Sequence, residues 1–153
     1  MTDTPAAADA DAERGYTISR TYEAPRALVW RAITEADLFA RWFGHETEMV
    51  VHSWDLRPGG EWRGTMTYEG NEIPWLGRFI EIDEPERLVL AITDEGELTE
   101  PLELITYTLA ESDGRTELVM RQSGGNITDE QYQQAREGAS GFLDELGKVV
   151  ASL

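Results

Sequence analysis

Large side chains at Tyr16, Ile18, Arg20 and Tyr22 alternate with the small hydroxyl residues Thr17, Ser19 and Thr21. A period of two is that of a strand with one face against a core. The period changes at Ala24-Pro25, where proline suits the first turn of a helix, and Leu28, Val29, Ala32 and Ile33 form an apolar stripe. Thr34 and Asp37 have the spacing of a capping box, predicting a second short helix through Trp42 that ends at Gly44. Six strand-like runs follow, over 46–55, 60–68, 73–82, 86–93, 102–110 and 115–122. They are separated by Pro58-Gly59-Gly60, Glu69-Gly70-Asn71, Asp83-Glu84-Pro85, the acidic Asp94-Glu95-Gly96-Glu97 and Asp113-Gly114. Connections this short join antiparallel neighbours, and Asp-Gly is the strongest hairpin signal among them.

Beyond Gly124-Gly125, Thr128 and Gln131 repeat the capping-box spacing ahead of a long final helix. Tyr132, Ala135, Ala139, Phe142, Leu143, Leu146, Val149, Val150 and Leu153 fall on one of its faces. Gly138, Gly141 and Gly147 interrupt it, each at a cost of about 1 kcal/mol against alanine. Either something packs close to this helix, or it bends. The order is β-α-α-β6-α, an α+β chain whose seven-stranded antiparallel sheet must cover one face. Only the C-terminal helix is long enough to serve. A curved sheet wrapped on that helix leaves a hollow wherever the helices do not fill the concavity.

Composition narrows the function. A chain of 153 residues buries about 69% of its unfolded surface, enough for a core with a pocket in it. Thirty Asp and Glu against thirteen Lys and Arg give a net charge of −17, which repels nucleic acid, anionic membrane and acidic ligands. Cysteine is absent, excluding disulfides and thiolate chemistry. No apolar run approaches the ~20 residues of a membrane span. The N-terminus is neither basic nor apolar enough for a signal peptide, so a cytoplasmic monomer or homodimer is expected. Residues 1–14 carry Asp3, Asp9, Asp11 and Glu13 among five alanines. Such a segment cannot offset its ordering entropy by burial, so it is read as a disordered acidic tail before a single domain at 15–153. The acidic stretch Asp94, Glu95, Glu97, Glu100 and Glu103 is read as solvated exterior.

Four stretches resemble a known family: Ala24 through Thr34 (APRALVWRAIT), Arg41-Trp42-Phe43-Gly44, Asp55 through Arg63 (DLRPGGEWR) and Glu81 through Val89 (EIDEPERLV). They are similar to the bacterial domains related to the C-terminal domain of the activator of the ninety-kilodalton heat-shock chaperone's ATPase. That family lies within the START-like, polyketide-cyclase-like (SRPBCC) superfamily, and the resemblance covers about residues 20 to 153. It implies the helix-grip, Bet v-type fold. Members range from lipid carriers to cyclases, so it leaves function open. Where the family often has Gly-Trp near the core of the last helix, this chain has Gly141-Phe142.

Candidate chemistry is sparse. His45 and His52 are the only imidazoles, and Glu48, His52 and Trp54 are expected on one strand face. No zinc-binding helix motif, nucleophile elbow or phosphate loop occurs, so no metal, cofactor or catalytic residue is assigned. The plain reading of Asp55 through Gly60 is a turn, with Asp55 accepting backbone N–H groups across it. Arg78 and Glu81 are expected on opposite strand faces, and either one pointing inward would anchor a ligand. The aromatic inventory says more. Trp42, His52, Trp54, Trp62, Met66, Tyr68, Trp75, Phe79, Tyr107 and Phe142 are the pocket candidates, because flat side chains with a polar edge suit an apolar ligand held by one or two hydrogen bonds. The leading expectation is a domain that binds a small hydrophobic or aromatic molecule in an internal cavity. The alternatives are a cyclase- or hydratase-like enzyme using His52, Glu81 or Tyr107, and a co-chaperone-like or stress-response interaction protein.

Overall fold

The computed structural model describes residues 15–44, 48–125 and 127–153; the tail over 1–14 and His45 lie outside the described residues. In chain order the elements are β1 (Gly15–Tyr22), α1 (Arg26–Thr34), α2 (Ala36–Phe43), β2 (Val50–Trp54), β3 (Glu61–Tyr68), β4 (Asn71–Asp83), β5 (Arg87–Thr93), β6 (Glu103–Ser112), β7 (Arg115–Gly124) and α3 (Asp129–Ala151). The strands form one sheet in the order β1-β7-β6-β5-β4-β3-β2, and every pair is antiparallel. β1 and β2 are therefore opposite edges, and α1 and α2 carry the chain from one edge to the other. This is the α+β helix-grip architecture.

The turns follow their residues. Asp113 and Gly114 both have positive φ, as do Glu69 and Gly70, which is what a two-residue type I′ hairpin requires. α3 opens with the capping box expected of it: Thr128 Oγ1 accepts from Gln131 N (3.1 Å), and Gln131 Oε1 accepts from Thr128 N (2.9 Å). The Thr34–Asp37 box does not form. Thr34 is still inside α1, its hydroxyl donating to the Trp30 carbonyl (2.7 Å), and Glu35 caps α2 without a side-chain bond. The Asp55 turn is closed by its backbone, with Gly60 N bonded to Arg57 O (2.8 Å) and Gly59 N to Phe79 O (2.7 Å). The Asp55 carboxylate holds the Arg57 guanidinium instead (2.8 Å).

α3 lies across the concave face, burying Tyr132, Ala139, Leu143, Leu146, Val149 and Val150. Each large aliphatic among them contributes about 1.5–3 kcal/mol. From β1, the Tyr22 hydroxyl donates to Leu143 O (2.8 Å), and Arg20 donates to Ser140 Oγ (2.6 Å). The helix glycines have different reasons. A Cβ on Gly147 would come within 3.1 Å of the Tyr22 ring, so that residue permits close packing. At Gly138 a Cβ would meet nothing within 4 Å, so that residue leaves space.

The opposite half of the core is aromatic and solid. Trp62 is fully buried, with ring centroids 5.1 Å from Phe39 and 5.7 Å from Trp54, and Trp54 lies 5.3 Å from Phe79. The Trp62 indole lies over its cross-strand partner Gly77, where a Cβ would be 2.0 Å from Nε1.

Candidate functional site

At the other end of the concavity the side chains do not meet, leaving a recess of about 220 Å³ between the sheet and α3. β5 to β7 and β1 supply its floor, including Ile92, Ile105, Tyr107, Met120, Gln122 and Tyr16. Ala135, Gly138, Ala139, Phe142 and Leu143 of α3 form the roof, and Trp42, Phe43 and Trp75 form the far wall. Three small residues on one helix face are why the roof stands off the floor. The wall is held by ring contacts: Phe43 stacks on Phe142 at 5.1 Å and meets Trp75 edge-on at 5.4 Å. Trp42 is fixed by its indole N–H, which donates to the Ala32 carbonyl (2.8 Å).

Polar groups enter this apolar lining at a few points. Tyr16 and Gln122 are buried, and the Tyr16 hydroxyl donates to Gln122 Oε1. Gln122 Nε2 in turn donates to Glu103 Oε2. Burial raises the Glu103 pKa above the ordinary carboxyl value, the Gln122 bond opposes that, and the negative charges of Asp94 and Glu95 add to it. Burial also raises the Tyr16 and Tyr107 hydroxyls, keeping both neutral. Tyr107 is only 3% exposed, and among the described residues its hydroxyl has no hydrogen-bond partner. The Trp75 indole nitrogen is also buried without one.

A second recess of about 390 Å³ adjoins the first, sharing Ile92, Thr93, Asp94, Glu103, Gln122 and Ala135 with it. Its outer part is the β5–β6 loop, with Glu95 and Glu100. No Arg, Lys or His lines either recess among the described residues.

The family model described as Activator of Hsp90 ATPase homolog 1-like protein matches residues 23–151. The chain belongs to this family. Similar solved structures agree on the fold of this family member. A Chromobacterium violaceum protein is 24% identical with a TM-score of 0.78, covering 90% of this chain and 97% of its own. One from Mycobacterium smegmatis, also 24% identical, has a TM-score of 0.75 and covers 91% and 92%. CalU16 from Micromonospora echinospora is 26% identical, with a TM-score of 0.66 over 89% of this chain and 75% of its own. A search of curated proteins finds no match. The family's START-like fold is typical of ligand-binding domains. No helix among the described residues is long and apolar enough to cross a membrane.

The sequence candidates separate in this family member's structure. Trp42, Trp75, Tyr107 and Phe142 come together in the first recess. Trp62, Met66 and Phe79 are buried in the core away from it, and Tyr68 is exposed at the end of β3. His52 and Trp54 border a separate surface recess between α2 and β2. They do not share a strand face, because the β2–β3 register shifts at His52. His52 is exposed, with Nε2 2.9 Å from Thr65 Oγ1, and the Trp54 indole turns inward to donate to Thr34 O (3.0 Å). A second bulge, at Ile80, corrects the expectation for Arg78 and Glu81. Arg78 stands opposite Ala91 and Glu81 opposite Val89, two residues apart on β5, so both face outward. They pair with Glu61 (3.0 Å) and Arg87 (3.2 Å). Glu103 moves the other way, from solvated exterior to the lining. Tyr16, Gln122 and Glu103 were legible only as the alternating positions of β1, β7 and β6; nothing in their residue types marks them.

Proposed function

We propose that this domain binds one small hydrophobic or aromatic molecule in the recess under α3. The observation that carries the reading is the Tyr107 hydroxyl, in the lining and without a partner among the described residues. A ligand hydrogen bond to this open hydroxyl would contribute about 0.5–1.5 kcal/mol, and the buried Trp75 indole N–H, also in the lining, lacks a partner among the described residues. The aromatic wall supplies dispersion and apolar burial, while Gly138 keeps the space open at the expense of helix propensity. A polar-edged ring lying between the Phe43–Phe142 stack and Tyr107 would use all three.

Titration with 2-naphthylmethanol, followed through tryptophan fluorescence, is expected to give saturable one-to-one binding, because Trp42 and Trp75 line the recess. Gly138→Leu projects a side chain into it and is expected to abolish that binding while leaving the far-UV circular dichroism unchanged. Native mass spectrometry of freshly purified protein supplies the second readout, a co-purified mass lost in Gly138→Leu. No saturable binding and no co-purified mass would sink the reading.

A further inference from the structure

We infer that the molecule bound under α3 is a cation, an amine on an apolar or aromatic body. The inference rests on the ligand-binding reading above and adds the sign of the charge. Asp94 and Glu103 are common to the recess and the mouth adjoining it, Glu95 and Glu100 complete the mouth, and no basic side chain lines either among the described residues. The cation that Tyr16 senses electrostatically is Arg136, whose guanidinium donates to the Thr17 carbonyl (3.1 Å) and does not line either recess.

Two observations independent of the carboxylates point to a ligand in the same space. The Tyr107 hydroxyl, in a residue only 3% exposed, has no partner among the described residues and lines the recess. Gly138 lines the recess, and a Cβ there would meet nothing within 4 Å. Of the two Glu103 oxygens, Oε2 takes the Gln122 amide, which leaves Oε1 to accept from a ligand ammonium. Tyr107 can accept a second N–H bond, and the rings of Phe43, Trp75 and Phe142 favour a cation over an anion beside them. A carboxylate or phosphate ligand would meet the repulsion of Asp94 and Glu103 in the lining and of Glu95 and Glu100 at the mouth.

Three ligands with one ring system test this at low salt: 2-naphthylmethylamine, 2-naphthylmethanol and 2-naphthoate, each titrated into the full chain. The amine is expected to bind about tenfold more tightly than the alcohol, and the acid more weakly than either. Glu103→Gln keeps the shape and the Gln122 bond, and is expected to remove the amine's advantage over the alcohol. Asp94→Asn, at the exposed mouth, and added salt on the unaltered chain provide the same test without touching the interior; both should reduce the amine's advantage. Equal binding of all three ligands, or an amine preference that survives Glu103→Gln, would overturn the cation while leaving the cavity reading intact. Failure of all three to bind would remove both.

Discussion

Glu103 begins β6 beside the acidic β5–β6 loop, yet it is bonded to buried Gln122 and its carboxyl titrates above the ordinary range, chiefly because of burial. The consequence for stability has a definite sign. A carboxyl whose folded pKa is raised binds more protons folded than unfolded, so stability falls as pH climbs from the ordinary carboxyl value through the folded one. Above the ordinary carboxyl value the raised group is a net cost, and at neutral pH Glu103→Gln is expected to raise the melting temperature. Below about pH 4 both states of the native chain are protonated and the two proteins should converge. Thermal melts of both across that range check this; a variant destabilised at neutral pH would contradict it. In the sequence Glu103 stands in a crowd of acids and reads as one more solvated charge. Only its place in the series Glu103, Ile105, Tyr107, Leu109, all on the inner face, sets it apart.

Among the elements, periodicity and turn chemistry made most of the fold legible. The final helix with its Thr128–Gln131 cap, the Asp113-Gly114 hairpin and all seven strands are where the pattern puts them. The failures share a physical cause: they depend on a partner elsewhere in the chain. Both bulges, at His52 and Ile80, exist only as offsets against a neighbouring strand, and each moved a candidate residue to the other face. The Thr34 hydroxyl had a helix carbonyl within reach, so it bonded backward and formed no cap. The lining of the candidate recess was half legible. Aromatic residue type marked Trp42, Trp75, Tyr107 and Phe142, which line it, but could not separate them from Trp62 and Phe79, which fill the core. β4 provides the test at this scale. Gly77→Ala places a methyl 2.0 Å from the Trp62 indole and is expected to cost about 1–3 kcal/mol through overpacking. Denaturant unfolding measures it, and a neutral result would mean that Trp62 has another rotamer available.

For the whole molecule, the charge of −17 is spread over a surface whose ion pairs are weak. Arg78 and Glu61 are 39% and 40% exposed, and Arg57 and Asp55 are 68% and 50% exposed. Exposed pairs contribute about 0–1 kcal/mol each, so repulsion among the unpaired carboxylates dominates. Raising sodium chloride from low to about 0.5 M, where the screening length shortens to a few ångströms, is expected to raise the melting temperature. A fall would show that the pairs outweigh the repulsion.

The roof of the recess has a different implication. Its floor is woven into the sheet, where altering a strand disturbs hydrogen bonds on both sides of it. Ala135, Gly138, Ala139 and Phe142 belong to a single helix, which β1 meets through side chains, as where the Tyr22 hydroxyl donates to Leu143 O and the Tyr16 hydroxyl to Ala135 O. The size of the chamber is thus set by a part that can be exchanged independently of the frame. Substitutions at these three or four positions of α3 resize the recess while the sheet stays an unaltered mould.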